Sequence, residues 1–166
     1  RKLIDDFFIW AIMGVILGGR AGYVFFYQME NFIENPIYIF YIWKGGMSFH
    51  GGLAGMTLAI FLFSKKNTLN FFELSDLVSL VAPIGLLFGR IANFINVELY
   101  GRVTSFPFAM IYPTVDNFPR HPSQLYEAFF EGILLFLILF IFFIYNYSKQ
   151  QCGTLSGLFL LLYGIF

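Results

Sequence analysis

The chain reads as a succession of apolar runs separated by short polar segments. Five runs stand out, at residues 7–27, 47–63, 77–97, 124–147 and from 154 onward. None shows the strict apolar–polar alternation of a half-buried strand, and the first and third match the roughly 20 apolar residues that span a bilayer core. The second is near the lower limit, and the fourth is long enough if Glu127 and Glu131 sit near one interface. Lipid offers no partner to backbone polar groups, so only helices or closed barrels cross it. The pattern therefore predicts an all-α integral membrane protein, a polytopic bundle of about four complete transmembrane helices and a truncated fifth. It is read as a single transmembrane domain over 1–166, with short extracytoplasmic loops near 28–46 and 99–121. The chain does not begin with Met and stops inside an apolar run, so it is read as a piece of a longer protein.

Composition agrees with a bilayer. Charged residues make up 12% and hydrophobic residues 58%, where a soluble domain carries about a quarter charged residues. The formal net charge is zero, which gives no support to a nucleic-acid partner. The single cysteine, Cys152, excludes an intrachain disulfide and a cysteine-based metal site. Four crossings put Arg1, Lys2, Lys65, Lys66 and Lys149 on one side and Lys44, Arg102 and Arg120 on the other. The positive-inside rule makes the first side cytoplasmic. The longer loops, rich in Tyr, Trp and Phe, then fall on the outer side, where aromatic residues favour the membrane interface.

Glycines recur four residues apart, at Gly14, Gly18 and Gly22, at Gly51 and Gly55, and at Gly85 and Gly89. Such spacing lines one helix face with small residues and lets backbones approach closely. The first three helices are expected to pack together through these faces.

The polar residues inside the apolar runs are what packing alone does not require. A central Arg costs about 2.5 to 3.5 kcal/mol on translocon scales, so Arg20 and Arg90 each need a partner or a polar cavity. Arg20 lies within snorkelling reach of the outer interface. Arg90 opens the stretch Arg90–Gly101, in which about 100° per residue places Arg90, Asn93, Val97 and Gly101 on one narrow stripe if the helix persists to Gly101. Glu98 is about 80° away, and is a candidate counter-ion for Arg90 or Arg102. A guanidinium fork suits phosphate or carboxylate. His50, at the outer end of the second run, is the side chain best matched to proton transfer near neutral pH. The alternation of crossings places it at the same membrane face as the Arg90 stripe. Arg120-His-Pro-Ser-Gln-Leu-Tyr-Glu127 opens the fourth run, with Pro122 suited to a first helical turn and His121 or Ser123 to its cap. No phosphate-cradling loop, metal-spaced His pair or serine nucleophile elbow is present.

Four stretches, GGRAGYVFFY (18–27), GGMSFHGGLAG (45–55), GRIANFINVELYG (89–101) and RHPSQLYEA (120–128), closely resemble, in the same order, the motifs of the bacterial prolipoprotein diacylglyceryl transferases. The resemblance implies transfer of a diacylglyceryl group from phosphatidylglycerol to the lipobox cysteine thiol of a preprolipoprotein, leaving a thioether and releasing glycerol phosphate. It implies a multi-pass protein of the bacterial cytoplasmic (inner) membrane, with the active site towards the periplasmic face. Its partners would be phosphatidylglycerol, the preprolipoprotein and the bilayer, with no cofactor and no metal. His50 aligns with the histidine proposed to activate the thiol and Arg90 with the headgroup-binding arginine; these are the candidate catalytic residues. Arg90, Asn93, Glu98, Gly101 and Arg20 are the candidate substrate-binding residues. The family has an earlier and a later helix beyond this chain, and its outer loop before Arg120 is longer. The alternatives are a small-solute or anion transporter, for which intramembrane Arg, Pro83 and glycine-rich helices would also serve, and a scaffold that uses the glycine faces for assembly.

Overall fold

The computed structural model describes residues 2–146 and 151–166. Arg1, Tyr147 and Lys149, which entered the expectations above, lie outside the described residues. The chain forms two compact units, Arg1–Ser75 and Asp76–Phe166, each described by itself below.

In the first unit, α1 (Lys2–Tyr27) is followed by α2 (Met29–Glu34), two 3-10 turns (Pro36–Phe40 and Ile42–Lys44) and α3 (Phe49–Lys66). Ser48 caps α3, its hydroxyl accepting from the Gly51 amide at 3.2 Å. The glycine faces do what their spacing suggests for this pair. A Cβ on Gly14 would strike the Gly55 carbonyl, one on Gly18 the Gly51 carbonyl and Gly55 Cα, and one on Gly22 the Gly51 Cα. Rising numbers on α1 meet falling numbers on α3, so the two helices are antiparallel and in backbone contact. Among lipid tails there is no hydrophobic drive to bring helices together, and close van der Waals packing takes its place. Where larger side chains resume, Phe7 and Trp10 of α1 pack edge-on against Phe63 of α3, at 5.2 and 6.1 Å between ring centroids. The third glycine pair differs from expectation: a Cβ on Gly85 or Gly89 would meet open space among the described residues.

The helix α4 (Phe71–Ile95) begins in the first unit and continues into the second. Asn70 caps it by accepting from the Phe72 amide at 2.9 Å. The second unit continues with a two-residue antiparallel ribbon of β1 (Met110–Ile111) and β2 (Pro119–Arg120), which pairs Met110 with Arg120. A helix over Ser123–Asn146 follows, made of α5 (Ser123–Glu127), a π-helical segment (Ala128–Leu134) and α6 (Leu135–Asn146), and then α7 (Thr154–Ile165). Pro122 stands at the N-cap position rather than inside the first turn, and neither His121 nor Ser123 caps the helix. Leu135, Leu139 and Leu155 form the buried core of this unit, with Leu80, Leu158 and Phe159 against them.

Three helices, Lys2–Tyr27, Phe71–Ile95 and Ser123–Asn146, are long and apolar enough to cross a membrane. Helix α3 is not among them, because His50, Lys65 and Lys66 fall within its 18 residues. Large apolar side chains stand outward on the spanning helices, among them Phe8, Phe88 and Ile141. That is the surface of an integral membrane protein rather than of a water-soluble one.

The helix expected to end near Val97 ends at Ile95 and does not persist to Gly101. The Val97 amide bonds to the Phe94 carbonyl at 3.2 Å and the Glu98 amide to the Asn93 carbonyl at 2.8 Å. This is a Schellman ending with its left-handed position at Val97, φ 58°. Glycine is usual there, and a β-branched residue with positive φ is a genuine outlier. Leu99 is left-handed as well, at φ 52°. Val97 and Gly101 therefore leave the stripe that Arg90 and Asn93 share.

Two substitutions test this packing. Gly55→Ala should lower the melting temperature in detergent, by overpacking worth about 1–3 kcal/mol, whereas Gly52→Ala, whose Cβ would meet only Val15 at 3.8 Å, should leave it nearly unchanged. Val97→Gly should raise stability by about 1 kcal/mol, the relief of left-handed strain less the added chain entropy of glycine, and the same melting measurement reads it.

Candidate functional site

Arg90 lies five residues before the end of α4 and is held by two carboxylates. Its Nη1 meets Glu127 Oε2 at 3.0 Å, and its Nε and Nη2 both donate to Glu131 Oε2, at 3.2 and 3.1 Å. The Glu131 side chain is 9% exposed and that of Glu127 34%, so one acid is a fixed counter-ion and the other reaches the rim. Tyr163 of α7 interacts electrostatically with Arg90 and Glu131 in the same cluster. The local structure explains how the carboxylates arrive. Gly132 lies against the backbone of α4, where a Cβ would meet Leu87 Cα at 2.9 Å. The neighbouring residue Glu131 sits in the π-helical segment, a widened turn that recurs at functional sites. The expected counter-ion Glu98 is not the one used. Its carboxylate instead accepts from the Asn93 amide nitrogen at 2.9 Å.

The residues after α4 form a tightly tied knot. Gln124, fully buried, donates to the Glu98 carbonyl and accepts from the Tyr112 hydroxyl at 3.2 Å, while the Ser123 hydroxyl donates to the Leu99 carbonyl at 2.7 Å. The left-handed residues are thus pinned on both sides by the start of α5, which is how a strained turn persists. Gly101 donates its amide to the His121 carbonyl at 2.9 Å, and a Cβ there would collide with that carbonyl. The Arg120 guanidinium pairs with Asp116, donates to the Gly101 carbonyl at 3.3 Å and stacks over Tyr100. Its hydrogen bond holds the Asp116 carboxyl below the ordinary range and in turn raises Arg120. Burial pushes the Tyr112 phenol up, which keeps it neutral as the donor to Gln124.

His50 and Arg20 belong to the first unit. His50 is exposed in the first turn of α3, edge-on to Phe49 at 5.7 Å. It stands on an apolar groove of about 550 Å³ that runs along Leu53, Thr57 and Phe61 of α3 to Phe71. Arg20, expected among the substrate-binding residues, is used differently. It is 3% exposed and donates to the backbone carbonyls of Tyr38 at 2.8 Å, Ile39 at 3.0 Å, and Gly45 and Gly46 at 2.7 and 3.3 Å. Its guanidinium also faces the rings of Tyr23 and Tyr38. It does not snorkel to water; it clamps the 38–46 segment to α1 through four hydrogen bonds to backbone carbonyls.

Sequence reasoning placed Arg90 but not its surroundings. Glu127 and Glu131, four apart in an apolar run, were legible as a pair yet read as interfacial residues. Gln124 and Tyr163 carry no local signal, because each matters only through a distant partner.

The clamp is testable. Arg20→Ala in the full-length protein should speed amide hydrogen exchange across 36–48 by at least about tenfold, since bonds to a charged donor contribute about 1.5–3 kcal/mol each. Exchange in the middle of α3 should be unchanged. Unaltered exchange in 36–48 would mean that the segment is held by other contacts.

Comparison with known proteins agrees with this arrangement of motifs. The family model described as prolipoprotein diacylglyceryl transferase matches residues 1–166. A protein of Nitratidesulfovibrio vulgaris (strain DP4) is 50% identical over 165 residues, covering 99% of this chain and 62% of its own length. One from Allorhizobium ampelinum is 51% identical over 165 residues, 99% of this chain and 58% of its own. One from Rickettsia akari is 51% identical over 166 residues, 100% of this chain and 64% of its own. All three bear the name phosphatidylglycerol--prolipoprotein diacylglyceryl transferase. The chain therefore spans about three-fifths of the length of these relatives. With a match from its first residue to its last, the chain belongs to the prolipoprotein diacylglyceryl transferase family.

Proposed function

We propose that this chain is the catalytic part of an enzyme that moves the diacylglyceryl group of phosphatidylglycerol onto the lipobox cysteine thiol of a preprolipoprotein. What carries this reading is the match along the whole chain to proteins that bear that activity in their name. The chemistry asks for two things. A carbon–sulfur bond forms as the carbon–oxygen bond to phosphate breaks, so the glycerol phosphate leaving with that electron pair needs a cation. The thiolate is the nucleophile, so the thiol proton needs an acceptor.

Arg90 is our choice for the cation. It is oriented before substrate arrives by Glu131, and its accessible partner Glu127 occupies the side on which an anionic headgroup would dock. Preoriented donors cost no reorganisation during the reaction, which is how electrostatic stabilisation works best. His50 is our choice for the acceptor, passing the proton on to solvent or to the departing phosphate. It stands on an apolar groove suited to an acyl chain. Asn93 and Glu98, bonded to each other, and Gly101 would shape the headgroup site beside Arg90. Arg20 supports the site indirectly, by holding the outer segment. The enzyme would lie in the bacterial cytoplasmic membrane with this site on the periplasmic side. A transporter reading has no comparable observation in its favour.

Arg90→Ala and His50→Ala, made in the full-length protein, should each lower conversion of a lipobox peptide to its thioether-lipidated form by about 100-fold or more in phosphatidylglycerol micelles, as expected for loss of an electrostatic donor or a general base. Mass spectrometry of the peptide reads the outcome. Full activity in Arg90→Ala would remove our role for it, and solute uptake into proteoliposomes without lipid turnover would replace the reading altogether.

A further inference from the structure

One buried carboxylate takes no part in the site described above. Asp76, in the second turn of α4, is 5% exposed. Its Oδ2 accepts from the Gly153 amide at 2.8 Å, and its Oδ1 accepts from the Ser156 amide at 2.8 Å and the Ser156 hydroxyl at 2.6 Å. These donors are the first turn of α7. The residue at the N-cap of α7 is Gly153, left-handed at φ 90°, with no side chain to cap anything. Helix α7 is therefore capped by another helix. A carboxylate at a helix N-terminus satisfies amides that have no partner within the helix and also meets the positive end of the dipole. An ordinary cap comes from the adjoining residue and says nothing about where the helix lies. A cap donated by α4 ties the start of α7 to one height on α4.

The remaining contacts between these helices are less selective. Leu80 of α4 packs into a cluster with Leu155, Leu158, Phe159 and Leu162 of α7, and such side chains tolerate sliding better than three directional hydrogen bonds do. Register matters at the far end. Tyr163 of α7 packs against the buried leucine cluster and interacts electrostatically with Arg90 of α4 and with Glu131. A slip of one residue moves a helix by about 1.5 Å and turns it by about 100°, which would carry the phenol away from the guanidinium.

We propose that Asp76 is a positioning residue of the transfer reaction, setting through its cap on α7 the register at which Tyr163 meets Arg90. The proposal rests on the transferase reading. Asp76 does not touch the Arg90 cluster. Fourteen residues of α4 separate it from Arg90, about 21 Å along the axis, and ten residues of α7 separate Gly153 from Tyr163, about 15 Å.

That distance makes the test sharp, because substitutions more than about 7–10 Å apart with no shared partner ordinarily have additive effects. The variants are Asp76→Asn, Tyr163→Phe and the double substitution in the full-length protein, with kcat for peptide lipidation as the readout. Asp76→Asn keeps the shape and one acceptor oxygen, and should lower kcat about tenfold. In the Tyr163→Phe background the same change should cost less than about twofold, because the contact it positions is already gone. Additive losses, or no loss of kcat in either single variant, would overturn the proposal. If Asp76→Asn does not accumulate as folded protein, Ser156→Ala, which removes one of the three bonds, takes its place in the same cycle under the same criteria. The two ideas fail separately: full activity in Arg90→Ala would defeat the role given to Arg90, whereas additivity in the cycle leaves that role standing and defeats only this one.

Discussion

A guanidinium within an apolar helix is the constraint from which the second unit is built. Arg90 cannot be left alone among lipid-facing residues, and its two carboxylates have to come from another helix because α4 supplies none nearby. That requirement explains features otherwise unrelated. Gly132 lets the 123–146 helix lie against Leu87, the π-helical segment carries Glu131 into the contact, and α7 brings Tyr163 to the same point. The pairing leaves one acid buried and the other partly exposed.

The turn after α4 shows the same economy in a smaller space. Val97 and Leu99 adopt left-handed backbone that neither residue favours. The carbonyls of Glu98 and Leu99 are taken by Gln124 and Ser123, so strain at the end of one helix is held by the start of the next. Gly101 then fits against His121 where no side chain could. The same segment holds Asn93 and Glu98 in one arrangement, the amide of one donating to the carboxylate of the other.

The first unit solves a different problem. Its helices approach through glycine, leaving no room between backbones for polar side chains. Arg20 is accommodated because the 38–46 segment folds over it and offers four carbonyls. The partner of one buried arginine is thus a pair of carboxylates, and that of the other a ring of peptide dipoles. Only the first leaves the guanidinium partly exposed.

Apolar run length and glycine spacing determined by themselves the helical membrane class, the positions of α1, α4 and the 123–146 helix to within six residues at each end, and the glycine face shared by α1 and α3. These are local or periodic properties, and a bilayer imposes them on any chain. The motif order likewise pointed to the family. What only the tertiary structure decided depends on partners distant in sequence. Arg20 and Arg90 look alike as single charges in apolar runs, and their surroundings alone distinguish a backbone clamp from an ion-paired cluster. The left-handed turn that follows α4 was not legible because Val97 and Leu99 are poor left-handed residues, held in that turn by Ser123 and Gln124. Asp76 gave no sign of its role, since the helix it caps begins 78 residues later. Periodicity reports which face of a helix is apolar; it carries no record of which buried polar groups find each other, because that pairing exists only once the helices have packed.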